Sequence, residues 1–219
     1  MNPVIISVAG IRRNMAYASG SEGKEKHQLP EPYGIDSIPK LFAYPVKHLG
    51  RFPPHVKAGC GACALSLKAA GMKYKEGELQ DVGLLAAGFE PTLNINYRFF
   101  KDYIDAGRTM GRGNLFIYTL PTGTIAEVSI HFRFGGPALY IDTECAPLEN
   151  LLEEASQTLQ EGECGKIITI WQDAENTLCL TIAPERGKRY CHPGGYERIQ
   201  NLASGWKTPD EAMKYFEFT

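Results

Sequence analysis

Residues Ile141 to Asn150 read Ile-Asp-Thr-Glu-Cys-Ala-Pro-Leu-Glu-Asn, and the change of pattern across them decides the fold. Just before, Ala138, Leu139, Tyr140 and Ile141 form a short apolar and aromatic run between Pro137 and Asp142, which predicts a buried strand. Just after, Leu148, Leu151, Leu152, Ala155 and Leu159 recur at the spacing of one helix face, with Glu149, Glu153, Glu154 and Gln157 on the other. Pro147 suits the first helical position, where its missing N–H costs nothing. The stretch is therefore a strand-to-helix turn, with Cys145 at the helix start or one residue before it.

That position favours a reactive thiol. Unpaired N–H groups and the positive end of the helix dipole stabilise a thiolate, and the same N–H groups can hold an oxyanion. Glu144 opposes this, because a neighbouring carboxylate disfavours a second negative charge. The competing reading of Cys145 is a buried structural cysteine that packs as a small hydrophobe.

Outward from this turn, the rest of the chain alternates strands and helices. With 219 residues, 43% of them hydrophobic, it is long enough for one domain with a sizeable core. A formal net charge of -2 gives no electrostatic reason to expect nucleic acid. Six irregularly spaced cysteines suit reduced intracellular thiols better than a disulfide scaffold. The apolar stretch Val4 to Ile11 precedes Arg12 and Arg13, the reverse of a secretory signal, and is too short to span a bilayer. A cytoplasmic protein is expected.

Pro3 to Val8 reads as the first strand, and residues 18–34, rich in Ser, Gly, Glu, Lys and Pro, read as an exposed loop. Val56, Cys60, Cys63, Ala64 and Leu67 mark a helix ending near Gly71. Cys60 and Cys63 have redox-pair spacing, and His55 with Cys191 and His192 invites a metal reading. The simpler expectation is two thiols on the apolar face of one helix, with no metal. Asp81 to Ala87 reads as a fully buried strand. Asn94 to Ala106 reads as a helix whose aromatics, Tyr97, Phe99, Phe100 and Tyr103, are expected in the core. Gly123 to Phe134 is helical and contains His131, expected at the surface or as a satisfied core residue. Lys166 to Trp171 and Thr177 to Ile182 form a hairpin, and Thr208-Pro209-Asp210-Glu211 opens a terminal helix.

The segment Gly123 to Cys145 resembles the N-terminal half of a β-ketoacyl synthase of the thiolase-fold superfamily. Phe134-Gly135-Gly136-Pro137 is similar to the loop before that family's nucleophile strand, and Asp142-Thr143-Glu144-Cys145 to its nucleophile turn. Looser similarity extends over about residues 1 to 185. The resemblance implies a thiolase-like half-fold: one α/β domain over residues 1–219, with a mixed, mainly parallel sheet and helices on both faces. It implies that Cys145 accepts an acyl chain as a thioester from acyl carrier protein or acyl-coenzyme A, with no cofactor. The Cys145 and Ala146 turn would supply oxyanion donors, and Thr143, Glu144, Gly135, Gly136 and Pro137 would shape the site. It also implies a homodimer, or a heterodimer with a synthase, in fatty-acid or polyketide biosynthesis.

The family's second half supplies the histidines that drive decarboxylation, and His192, in Cys-His-Pro-Gly-Gly, does not match them. Pro147-Leu148 also replaces the small hydroxylated residues that usually follow the cysteine. Three functions follow as expectations: an acyl-thioester protein working through Cys145, a non-catalytic accessory subunit like a chain-length factor, or a metal or redox protein using Cys60 and Cys63.

Overall fold

The computed structural model describes residues 2–88, 91–109, 111–185 and 195–218. Cys191 and His192 fall outside the described residues. Seven strands form one sheet: β1 (Pro3–Arg12), β2 (Met15–Gly20), β3 (Gly23–Gln28), β4 (Gly83–Gly88), β5 (Ala138–Ile141), β6 (Ile167–Gln172) and β7 (Thr177–Pro184), in the order β3-β2-β1-β7-β6-β4-β5. The sheet is mixed: β4 runs parallel to β5 and β6, and the other four pairings are antiparallel.

Helices cover both faces, as a doubly covered sheet requires. One face carries α1 (Pro54–Ala69) and α4 (Gly123–Phe132) over a core that includes Ile11, Val56, Leu65, Leu84 and Phe132. The other carries α5 (Pro147–Glu161), α6 (Tyr196–Ala203) and α7 (Pro209–Phe218), packed on Leu85, Trp171 and Leu180. The near-continuous burial along β4, β6 and β7, threonines included, reflects cover from two sides.

Small residues let α1 approach closely. A Cβ on Gly59 would meet the Thr124 methyl of α4 at 2.2 Å. Ser66 of α1 bonds the hydroxyls of Ser7 in β1 (2.8 Å) and Thr181 in β7 (2.7 Å), which satisfies three buried polar groups and fixes the helix against the sheet. At the other end, the Gln172 amide donates to the His55 carbonyl at 2.8 Å. Helix α1 therefore starts beside the carboxyl ends of β4 and β6 and finishes beside their amino ends.

Several expectations require correction. The region read as a loop at residues 18–34 contains the end of β2 and all of β3, paired in a hairpin from Met15↔Gln28 to Gly20↔Gly23. Residues Ala138 to Ile141 do form a strand, but at the sheet edge, with Ala138 and Leu139 exposed. Helix α2 (Leu93–Asp105) is present, yet its aromatic stripe lies outside the core: of its residues only Ile95 is buried. Among the described residues no helix is long and apolar enough to cross a membrane.

Candidate functional site

Cys145 lies on the turn between β5 and α5, at the carboxyl edge of the parallel strands. The helix begins at Pro147, as its sequence predicts, and Ala146 is its N-cap with φ 47° and ψ 53°. Cys145 thus lies one residue before the cap, and its thiol is exposed. The reading of a buried structural cysteine is overturned.

Thr143 organises the turn. Its hydroxyl donates to the Cys145 carbonyl at 2.8 Å and accepts from the Cys145 N–H at 3.2 Å. The Asn150 side-chain amide reaches back from the second turn of α5 and donates to the same carbonyl (2.9 Å) and to Thr143 Oγ1 (3.1 Å). The N–H expected to face an oxyanion is therefore held by Thr143. Sequence reasoning missed Asn150, whose only signal is a polar amide one turn inside a helix that follows a cysteine.

The other sequence-predicted residues separate. Glu144 is exposed beside the thiol. Gly135, Gly136 and Pro137 lie at the opposite end of β5 and position that strand. The N–H of Gly136 donates to Val82 O at 3.0 Å, and Leu84 N–H donates to Pro137 O at 2.7 Å. A Cβ on Gly136 would meet Gly83 N and Val82 O at 2.8 Å, so only glycine permits this approach.

Cys60 and Cys63 are fully buried within α1, where burial pushes both thiols well above the usual range. His55 is buried, and burial lowers its imidazole to about 4. No cluster able to hold a metal ion occurs among the described residues. His131 is neither exposed nor satisfied. It lies among the rings of Phe42, Tyr44, Tyr74 and Phe132, its Nε2 has no hydrogen-bond partner among the described residues, and burial lowers its imidazole to about 4.

Large apolar side chains are exposed on α2, on the segment after it, on α4 and on β5. Leu93, Tyr97, Phe100 and Ile104 line one side of α2, with Tyr97 69% and Phe100 62% exposed. Phe116, Ile117 and Leu120 follow across α3 (Gly113–Phe116) and the following turn, where Phe99 and Phe116 rings lie 5.6 Å apart. Ile130 of α4 is 70% exposed, and Leu139 of the edge strand β5, 45% exposed, points to the α5 side of the sheet, as its register with Leu85 requires.

A sheet covered by helices on both faces, with a cysteine on the strand-to-helix turn at its parallel edge, defines a thiolase-type half-fold. Residues 34–170 match the beta-ketoacyl synthase N-terminal domain, and the chain belongs to that family. No curated protein matches the sequence. Among solved structures, the chain is similar to the ishigamide ketosynthase/chain length factor, with TM-score 0.60 and 10% identity over 88% of this chain and 65% of that one. It is similar to a beta-ketoacyl synthase from Burkholderia phymatum STM815, with TM-score 0.56 and 12% identity over 92% of this chain and 61% of that one. It is also similar to the ketosynthase ApeO in complex with its chain length factor ApeC from Xenorhabdus doucetiae, with TM-score 0.55 and 12% identity, covering 85% and 81% of the two chains. This chain spans less than two thirds of the length of the first two.

Proposed function

We propose that this chain is the accessory, chain-length-factor-like member of a ketosynthase pair, joining a full synthase across the β5 edge. The observation that carries this reading is the set of large apolar side chains left exposed on α2, the Phe116–Leu120 segment, α4 and the edge strand β5. Exposed large apolar side chains in such number favour an interface, and an edge strand adds a row of backbone groups free to pair. Two of the similar structures carry names that join a ketosynthase to a chain length factor, which supports the same kind of partner. The setting would be fatty-acid or polyketide-type synthesis, in which the growing chain arrives on acyl carrier protein or coenzyme A. Co-expression with full-length ketosynthases of the same organism tests the reading. A stable one-to-one complex, lost on Leu139→Lys with Phe100→Lys, is expected, and failure to pair with every one of them overturns it.

A second reading, acyl transfer through Cys145 itself, is favoured by the exposure of the thiol at the amino-terminal side of α5. Against it, the Cys145 N–H is already engaged by Thr143. Intact-protein mass spectrometry after incubation with short and medium acyl-coenzyme A or acyl carrier thioesters separates the two. An adduct absent only from Cys145→Ala makes this an acyl-transfer protein, whereas no adduct leaves the accessory reading in place.

A further inference from the structure

At the end of α1 far from Cys145 the surface opens into a cavity of about 690 Å³. Its position follows from the helix: α1 begins beside the carboxyl ends of β4 and β6, and 16 residues carry it about 24 Å toward their amino ends. Leu41, Ala64, Met72 and Tyr74 give the cavity an apolar lining. The Tyr74 hydroxyl is turned away from that role, accepting the Ala43 N–H at 3.1 Å and so fixing the wall.

The polar lining is strongly one-sided. Lys40, Lys68, Lys73 and Lys75 line the cavity against the single carboxylate of Glu22. Lys68 is paired with Glu25 at 2.6 Å, but Lys40, Lys73 and Lys75 make no ion pair among the described residues. Lys40 is also held in a left-handed backbone conformation, at φ 55°.

A helix carboxyl terminus would ordinarily repel an anion, yet here its carbonyls are occupied. Ser66 O accepts from Ala70 N–H and the Ser7 hydroxyl, Lys68 O from Gly71 N–H, and Ala69 O from Glu22 N–H. The field in the cavity is therefore set chiefly by the ammonium groups.

We propose that this cavity binds an anionic amphiphile, with an apolar chain on Leu41, Ala64, Met72 and Tyr74 and a carboxylate or phosphate head against Lys40, Lys73 and Lys75. Its volume falls within the range of small-molecule sites, roughly 300–1,000 Å³. The cavity shares no lining residue with the Cys145 turn or with the β5 edge.

Isothermal titration of the purified chain with decanoate, decyl phosphate, decanol and acetate, each below its aggregation threshold, tests the proposal. Saturable binding of decanoate or decyl phosphate is expected, and the tighter of the two identifies the head group. Decanol and acetate should bind about tenfold more weakly, since each lacks one half of the recognition. The triple variant Lys40→Gln, Lys73→Gln, Lys75→Gln should lose about tenfold while keeping its near-ultraviolet circular dichroism, and Cys145→Ala should bind as wild type. Raising salt to about 1 M, where charges are screened beyond about 3 Å, should weaken decanoate binding without any variant. The proposal is overturned if neither amphiphile binds or if decanol binds as tightly. Salt-independent affinity, or loss of binding in Cys145→Ala, also overturns it.

Discussion

Ala146 holds the turn before α5 in a left-handed conformation that glycine adopts without penalty. Ala146→Gly should therefore stabilise the protein by about 1 kcal/mol in urea unfolding, and destabilisation would show that the methyl group packs usefully. Thr143→Val removes the hydroxyl that binds both backbone groups of Cys145, and a loss of about 1–2 kcal/mol is expected by the same measurement. His55 and His131 give the chain an acid-sensitive stability. Their folded values, about 4, lie below the usual 6.5, so between those limits the unfolded chain binds more protons. Stability should be full above about pH 6.5 and fall as pH drops toward 4, at most about 1.4 kcal/mol per pH unit for each such proton. Thermal unfolding of His131→Phe should show a shallower fall, and profiles parallel to wild type would contradict this. At this scale the sequence located the turn, because Pro147 and the spacing after it are local signals. It could not disclose Asn150, because that contact exists only once the turn has its three-dimensional form.

Among the elements, the two least legible are those whose surroundings are set by tertiary placement. Strand β3, Gly-Lys-Glu-Lys-His-Gln, carries charges along an edge, a composition that discourages pairing with other chains and reads locally as a loop. Helix α2 has a regular apolar spacing, which predicts one apolar side but not what covers it. Tyr97→Lys with Phe100→Lys should change the stability of the isolated chain by less than about 0.5 kcal/mol, since both side chains are exposed. A large loss of stability would instead mean that the stripe packs internally. Gly136→Ala is the opposite case. Its methyl group would be forced against Gly83 and Val82 where β5 enters the sheet, and a cost of about 1–3 kcal/mol or more is expected on unfolding.

For the molecule as a whole, the alternation of buried runs with amphipathic helices and the turn at Cys145 were enough to anticipate a sheet with helices on both faces. The hairpin of β6 and β7 was equally legible, because two strands flank a short turn in which the Asp173 carboxylate accepts the Glu175 and Asn176 N–H groups at 2.7 Å. What the sequence left open is which surfaces remain uncovered, since an apolar residue looks the same whether its neighbour belongs to this chain or to another. The central claim concerns that surface, and the most direct measurement is native mass spectrometry of this chain co-expressed with the ketosynthases of its own organism. A one-to-one complex with one synthase, abolished by Leu139→Lys with Phe100→Lys, is the predicted result. A chain that stays alone in every pairing would contradict it.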